Sequence, residues 1–193
     1  MRGQYNRLKE RVISLLEDQL PEELHYHGTH HTLDVLQVCE DYILRDGISE
    51  ADAVLLRTGA LFHDFGFTKS FDDHEKNGAM LAEQILPSYD FDSKDIEVVK
   101  GLIMATKIPQ APTTALERII CDADLDYLGR EDYYPISETL YRELRSLHRI
   151  KTRAQWVDLQ IGFLEAHEYH TEYAIENRQP QKAKRILELK AGH

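Results

Sequence analysis

Ten of the 193 residues are histidine, and six of them (His25, His27, His30, His31, His63 and His74) fall between positions 25 and 74. Within and beyond that stretch, His31, His63, Asp64 and Asp124 offer two imidazoles and two carboxylates. Such a mixed nitrogen and oxygen set suits one divalent cation. The surroundings of these residues sharpen the point. His63 and Asp64 end an otherwise apolar run, AVLLRTGALFHDFGF, and Asp124 follows two isoleucines and a cysteine in IICDADLDYLG. Burying polar groups without partners costs roughly 2–7 kcal/mol each, and a shared cation removes that cost. On residue types alone a His-Asp pair also reads as a helix C-terminus capped by an imidazole, and Asp122 competes with Asp124 for the fourth position. His27 lies four residues before His31, on the same face if both are helical, and Tyr26 precedes it.

The elements that must bring these groups together are helical. Apolar residues recur with helical period along nearly the whole chain, and no strand-like alternation is found. Helices are expected at about 3–20, stopping at Pro21, and from around Thr29 to Gly47, with Leu33, Leu36, Val38, Tyr42 and Ile43 on the apolar face. A third begins after Ser49 and runs into His63. Others are expected at 73–86, from Asp92 or Ser93 to Thr106, from Thr113 or Thr114 through Gly129, and at 132–148, 152–170 and 180–190. KIPQAPTT is the clear irregular connection. The reading is an all-α bundle of about eight helices, one domain over 1–193, with the motif-bearing core at about 20–130 and a helical completion at about 131–193.

Lys and Arg total 23 against 34 Asp and Glu, a formal charge of −11. A broad basic surface for nucleic-acid polymers or anionic membranes is excluded on that sign. The imbalance is uneven: residues 1–145 carry −13 and residues 146–193 carry +2. The first twenty residues read as neither signal peptide nor membrane span, and Cys39 and Cys121 sit in apolar helical patterns, so a reduced, cytoplasmic setting is expected. Oligomeric state is left open, with a homodimer compatible.

Taken in order and spacing, YHGTHHTLDV, HDFG, HEKNGA and DADLDYLG resemble the successive motifs of the HD-domain superfamily of metal-dependent phosphohydrolases. The resemblance covers about residues 20–130. It implies His31, His63, Asp64 and Asp124 as ligands to one divalent cation (Mn, Mg, Fe, Co, Ni or Zn), since the family's "AD" signature falls on Ala123 and Asp124. It further implies hydrolysis of a small phosphorylated substrate, most plausibly a nucleotide. The alternatives are a pyrophosphohydrolase of a signalling nucleotide and a non-catalytic module that senses nucleotide or phosphate. His27 is the first choice as the acid for the leaving oxygen, His74 the second, and Asp64 also orients the water. Lys69, Lys107 and Arg149 are the expected anion clamp. Two departures stand out: of the histidines that follow His-Asp in the two-metal branch only His74 is matched, with Thr106 in the stretch where another would lie, and Phe67 occupies the place of a lysine. His167 and His170 are read as part of an ordinary amphipathic helix, and His25 and His30 as surface residues.

Overall fold

The computed structural model describes residues 2–192 and contains ten α-helices among them: α1 (Arg2–Gln19), α2 (Thr29–Asp46), α3 (Glu50–Phe62), α4 (His74–Ile85), α5 (Ser93–Ala105), α6 (Ala115–Asp124), α7 (Tyr133–Ser146), α8 (Arg153–Ala166), α9 (Glu172–Asn177) and α10 (Gln179–Lys190). Three 3-10 turns, Phe65–Thr68, Leu86–Tyr89 and Asp126–Gly129, continue α3, α4 and α6. No strand occurs among the described residues. The all-α expectation of about eight helices holds in class, and of the ten described only α9 lies outside every expected span.

Helix starts follow local side-chain chemistry. Ser49 accepts a hydrogen bond from the Asp52 amide at the head of α3, and Asp92 accepts from Lys94 and Asp95 at the head of α5. Reciprocal capping boxes, Thr114 with Glu117 and Thr152 with Gln155, open α6 and α8; each satisfies amide donors that a bare helix end leaves unpaired. Gly47, at φ 63°, closes α2 in the left-handed conformation that glycine adopts without strain.

Two expected boundaries shift, and so does one buried face. The element that begins at Thr114 is helical only to Asp124, and its last turn tightens into the 3-10 form. The helix expected over 152–170 stops at Ala166, because the His170 and Thr171 amides donate to the Asp122 carboxylate at 2.9 and 2.8 Å instead of continuing the helix. That capture leaves room for the short α9. On α2, Leu33 is exposed and Val35 and Cys39 take its place on the buried face.

Apolar burial falls in two neighbouring clusters. One gathers Leu8, Val12, Leu16, Val35, Leu56 and Ile120 among α1 to α6. The other joins Tyr26, Leu125, Leu128, Tyr133, Leu164 and Leu189, and so ties the turn after α6 to α7, α8 and α10. Asp124 lies where the two meet. Arg178 donates to the buried Asp126 at 2.7 Å and fixes the C-terminal helices on that turn. Cys39 and Cys121 are buried free thiols. No described helix is long and apolar enough to cross a membrane.

Candidate metal centre

Four elements aim their ends at one point. His31 sits in the first turn of α2, His63 caps the C-terminus of α3, Asp64 opens the following 3-10 turn, and Asp124 ends α6. His63 is fully buried, and its Nδ1 donates to the Ala60 carbonyl at 2.8 Å. The helix-capping role and the ligand role are therefore compatible: one ring nitrogen satisfies the helix, which fixes the tautomer and turns Nε2 inward as a lone-pair donor. The Nε2 atoms of His31 and His63 lie 3.3 Å apart. Asp124 Oδ1 is 3.1 and 3.5 Å from them, and Asp64 Oδ2 is 3.5 and 3.2 Å from them.

These spacings, and one orphaned atom, test whether the residues suit a cation. Bonds of about 2.1 Å to a single ion put neighbouring donors roughly 3.0–3.4 Å apart, close to the 3.1–3.5 Å found here. Asp64 Oδ2 is buried and has no hydrogen-bond partner, a costly state for a carboxylate oxygen unless a cation stands before it. His31, His63 and Asp124 together form a group that could hold a metal ion, and the orphaned oxygen brings Asp64 to the same point. The electrostatics agree. Burial works to lower the His63 pKa, yet Asp64 and Asp124 outweigh it and hold the imidazole well above its ordinary value. Burial likewise works to raise both carboxyls, but the facing imidazoles pull Asp64 well below the usual range and Asp124 down to about 2. The two ionised carboxylates thus hold positive charge between them, either as a proton on the His63 imidazole or as a cation that takes its place.

His27 reaches the site by another route. α2 begins only at Thr29, so His27 and His31 do not share a helix face; His27 lies in the preceding turn. It is held there by Glu143 of α7. The Glu143 carboxylate accepts from the Tyr26 and His27 amides at 2.8 and 3.0 Å and forms a short ion-paired hydrogen bond with His27 Nδ1. Burial opposes a rise in the His27 pKa, but Glu143, with Asp64 and Asp124, raises it. Burial also works to raise the Glu143 carboxyl, and the same hydrogen bonds lower it. Phe67, in the place of the family's lysine, is buried and stacks on His74 at 3.9 Å and on His27 at 4.4 Å between ring centroids. An aromatic ring thus orients two imidazoles where a lysine would have supplied charge. His74 Nε2 lies 3.6 Å from Asp64 Oδ1 and 3.5 Å from Glu75 Oε1.

The remaining expectations divide. The expected clamp does not converge: Lys69 is exposed, Lys107 pairs with Asp73 at 3.3 Å, and Arg149 pairs with Asp72 at 2.9 Å above the Phe71 ring. None of the three lines the cavity beside the site, and the latter two brace the loop that leads to His74. Asp122 is occupied in accepting from the 170–171 amides, whereas Asp124 faces the His31 and His63 imidazoles. Thr106 reaches the cavity wall, but its hydroxyl donates to the Ile103 carbonyl at 2.8 Å. His25 and His30 are exposed, as expected, whereas His167 and His170 lie in an irregular segment.

Three residues with roles here carried no sequence signal that singled them out: Glu143, Glu75 and Tyr26, whose ring packs on both His27 and His31. The tail, expected only to complete the core, also contributes directly. Together with the turn after α6, α7 and α8 enclose a cavity of about 190 Å³ onto which His27, Asp64, His74, Glu75 and Asp124 open. An anion entering it meets the cluster at one end.

The HD domain family model matches residues 28–126, just over half of the chain, a segment that holds all four converging residues and His74 but neither His27 nor Glu143. No curated protein and no solved structure matches. The chain belongs to the HD-domain superfamily, whose general function is metal-dependent phosphohydrolysis.

Proposed function

We propose that this protein hydrolyses a phosphoester of a small molecule, with one divalent cation held by His31, His63, Asp64 and Asp124. The observation that carries the proposal is the convergence of these four groups, one of them with an orphaned buried oxygen, at the end of a cavity large enough for a substrate. When bound, such a cation neutralises phosphoryl charge and makes a water acidic enough to attack phosphorus.

The chain's own residues supply the rest. Because Nδ1 of His27 is committed to Glu143, its Nε2 is the nitrogen left to serve the cavity, and the neighbouring carboxylates favour the protonated ring. In this reading His27 delivers its proton to the leaving oxygen. Asp64 Oδ1, on the side facing His74, accepts a hydrogen bond from the attacking water, and His74 holds that carboxylate in place. Tyr26 and Phe67 exclude bulk water from the two imidazoles. Of the bodies the substrate could carry, a nucleotide polyphosphate fits least well, since neither Lys nor Arg lines the cavity among the described residues and a chain of phosphates needs several cations.

Phosphate release is measured over a panel of phosphomonoesters, diesters and pyrophosphates with Mn, Mg, Fe, Co, Ni and Zn supplied in turn, beside metal analysis of the same samples. The expected result is about one equivalent of metal and turnover of monoesters. Silence across the panel from folded, metal-loaded protein favours the phosphate-sensing module, and failure to retain any of the six metals overturns the site itself.

A further inference from the structure

The cavity beyond the metal-facing end has a chemistry of its own. Leu125, Leu128, Leu140, Trp156, Phe163 and Leu164 form an apolar wall there. The polar groups at the far side, Tyr133, Ser137 and Gln160, are largely turned on one another: both hydroxyls donate to Gln160 Oε1, at 2.8 and 2.6 Å, which leaves the Gln160 amide NH₂ as the free donor of the three. A ligand body lodged there finds apolar surface and few free hydrogen-bonding groups. Ile108 and Leu159 line the same cavity and are about half exposed, at 51% and 46%, which marks the mouth on that side.

From this wall we infer that the preferred substrate is the phosphomonoester of an apolar alcohol, its phosphoryl group at the His31–His63–Asp64–Asp124 end and its hydrocarbon body against α7 and α8. The inference rests on the phosphohydrolase reading for its chemistry, but not for its binding. Two magnitudes favour a hydrocarbon over a sugar or nucleoside. Each methylene taken from water into such a wall gains about fourfold in binding. Each sugar hydroxyl that loses water there without a protein partner costs about tenfold.

The experiment has two arms on the full chain loaded with metal. In the first, kcat/KM is measured for n-alkyl phosphates from methyl to octyl and for phenyl phosphate, against sugar phosphates and nucleoside 5′-monophosphates. The expected series rises about fourfold per methylene until the cavity is filled and then levels, with sugar phosphates and nucleotides at or below methyl phosphate. In the second arm, alkyl phosphonates, which cannot be hydrolysed, are titrated while the fluorescence of Trp156, the sole tryptophan, is followed. Affinity is expected to track chain length, and Leu159→Glu, which puts a charge at a half-exposed rim position, to lower the hexyl-to-methyl affinity ratio about tenfold. A flat alkyl series, or nucleotides turned over faster than hexyl phosphate, overturns the inference and leaves the phosphohydrolase reading standing. Chain-length-dependent binding at Trp156 with no ester hydrolysed overturns that reading and leaves the pocket assignment standing. A Trp156 signal insensitive to chain length sinks the pocket assignment whatever the turnover.

Discussion

Glu143→Gln tests the proton-delivery half of the proposed mechanism without touching the metal ligands. The substitution preserves side-chain size and one oxygen to accept from the Tyr26 and His27 amides, but it sets an amide NH₂ against His27 Nδ1 where the carboxylate now accepts. A hydrogen bond to a charged group contributes about 1.5–3 kcal/mol, roughly twice a neutral one. At 1.36 kcal/mol per pKa unit, losing the charge lowers the His27 pKa by about 1–2 units. A general acid is active while it holds its proton, so the alkaline limb of the kcat/KM profile should move down by about 1–2 pH units. Above both limbs that shift is a loss of about 10–100-fold in rate. Metal content should stay at about one equivalent. Stability gives an independent readout with a worked sign. Glu143 has a lowered folded pKa, so its contribution is fully present above its unfolded value of about 4.5 and fades as pH falls; His27 has a raised one, so its contribution is fully present below about 6.5 and fades as pH rises through the folded value. The stability gap between wild type and Glu143→Gln is therefore widest between about pH 4.5 and 6.5. An unmoved alkaline limb in a variant of normal metal content would refute the assignment of His27 as acid, whatever the stability gap.

Other substitutions separate residues that look alike in sequence. Asp124→Asn should drop metal content well below stoichiometric, whereas Asp122→Asn should retain metal and lose about 1–3 kcal/mol, a fall of roughly 2–12 °C in Tm for a chain of this size; metal analysis beside thermal unfolding tells them apart, and metal loss in Asp122→Asn would reverse their assigned roles. Gly66→Ala would put a Cβ 1.9 Å from the His74 carbonyl oxygen and 2.6 Å from the Gly78 amide nitrogen. With backbone on both sides the expected cost is about 3 kcal/mol or more, with activity reduced as α4 and His74 move; an unchanged Tm and rate would show that the approach is looser. Arg149→Ala removes an exposed pair that contributes about 0–1 kcal/mol, so kcat/KM should change less than about threefold, and a loss of 100-fold would restore Arg149 to the anion clamp.

Why the converging His/Asp cluster could be read from sequence and Glu143 could not follows from the physics of each. His63, Asp64 and Asp124 interrupt apolar helical runs, and a polar group set into a buried stripe advertises a partner. Glu143 lies in TLYRELRSLHR, among arginines, where a glutamate looks like any solvated helix residue. Its burial comes from contact with Tyr26 and His27, 116 or more residues away in sequence. The same limit explains the irregular segment at 167–170: nothing local breaks a helix in AHEYHTEY, and the chain departs because a carboxylate from α6 captures its amides. DADLD shows how finely the division runs. Its three aspartates alternate along one short stretch, yet Asp122 accepts from the 170–171 amides ahead of α9, Asp124 joins the metal-facing cluster and Asp126 binds Arg178. Element types and most caps were local and legible; the bonds between distant elements were not.

The net charge of −11 takes on a different meaning once the cavity is described. Asp64, Glu75 and Asp124 face it, Glu143 stands behind His27, and the basic residues near its rim are paired with loop carboxylates. A phosphate dianion approaching this surface is repelled until positive charge sits among His31, His63 and the two aspartates. At close range in a partly desolvated site that charge outweighs the more distant and screened acidic surface. Binding energy for the phosphoryl group is thereby concentrated at one point, and selectivity among phosphoesters falls to the wall opposite. On the proposed reading, a wall that offers hydrocarbon where a polyphosphate-binding site would offer cations leaves the phosphoryl group dependent on a bound cation and favours a substrate with a single phosphate on an apolar body.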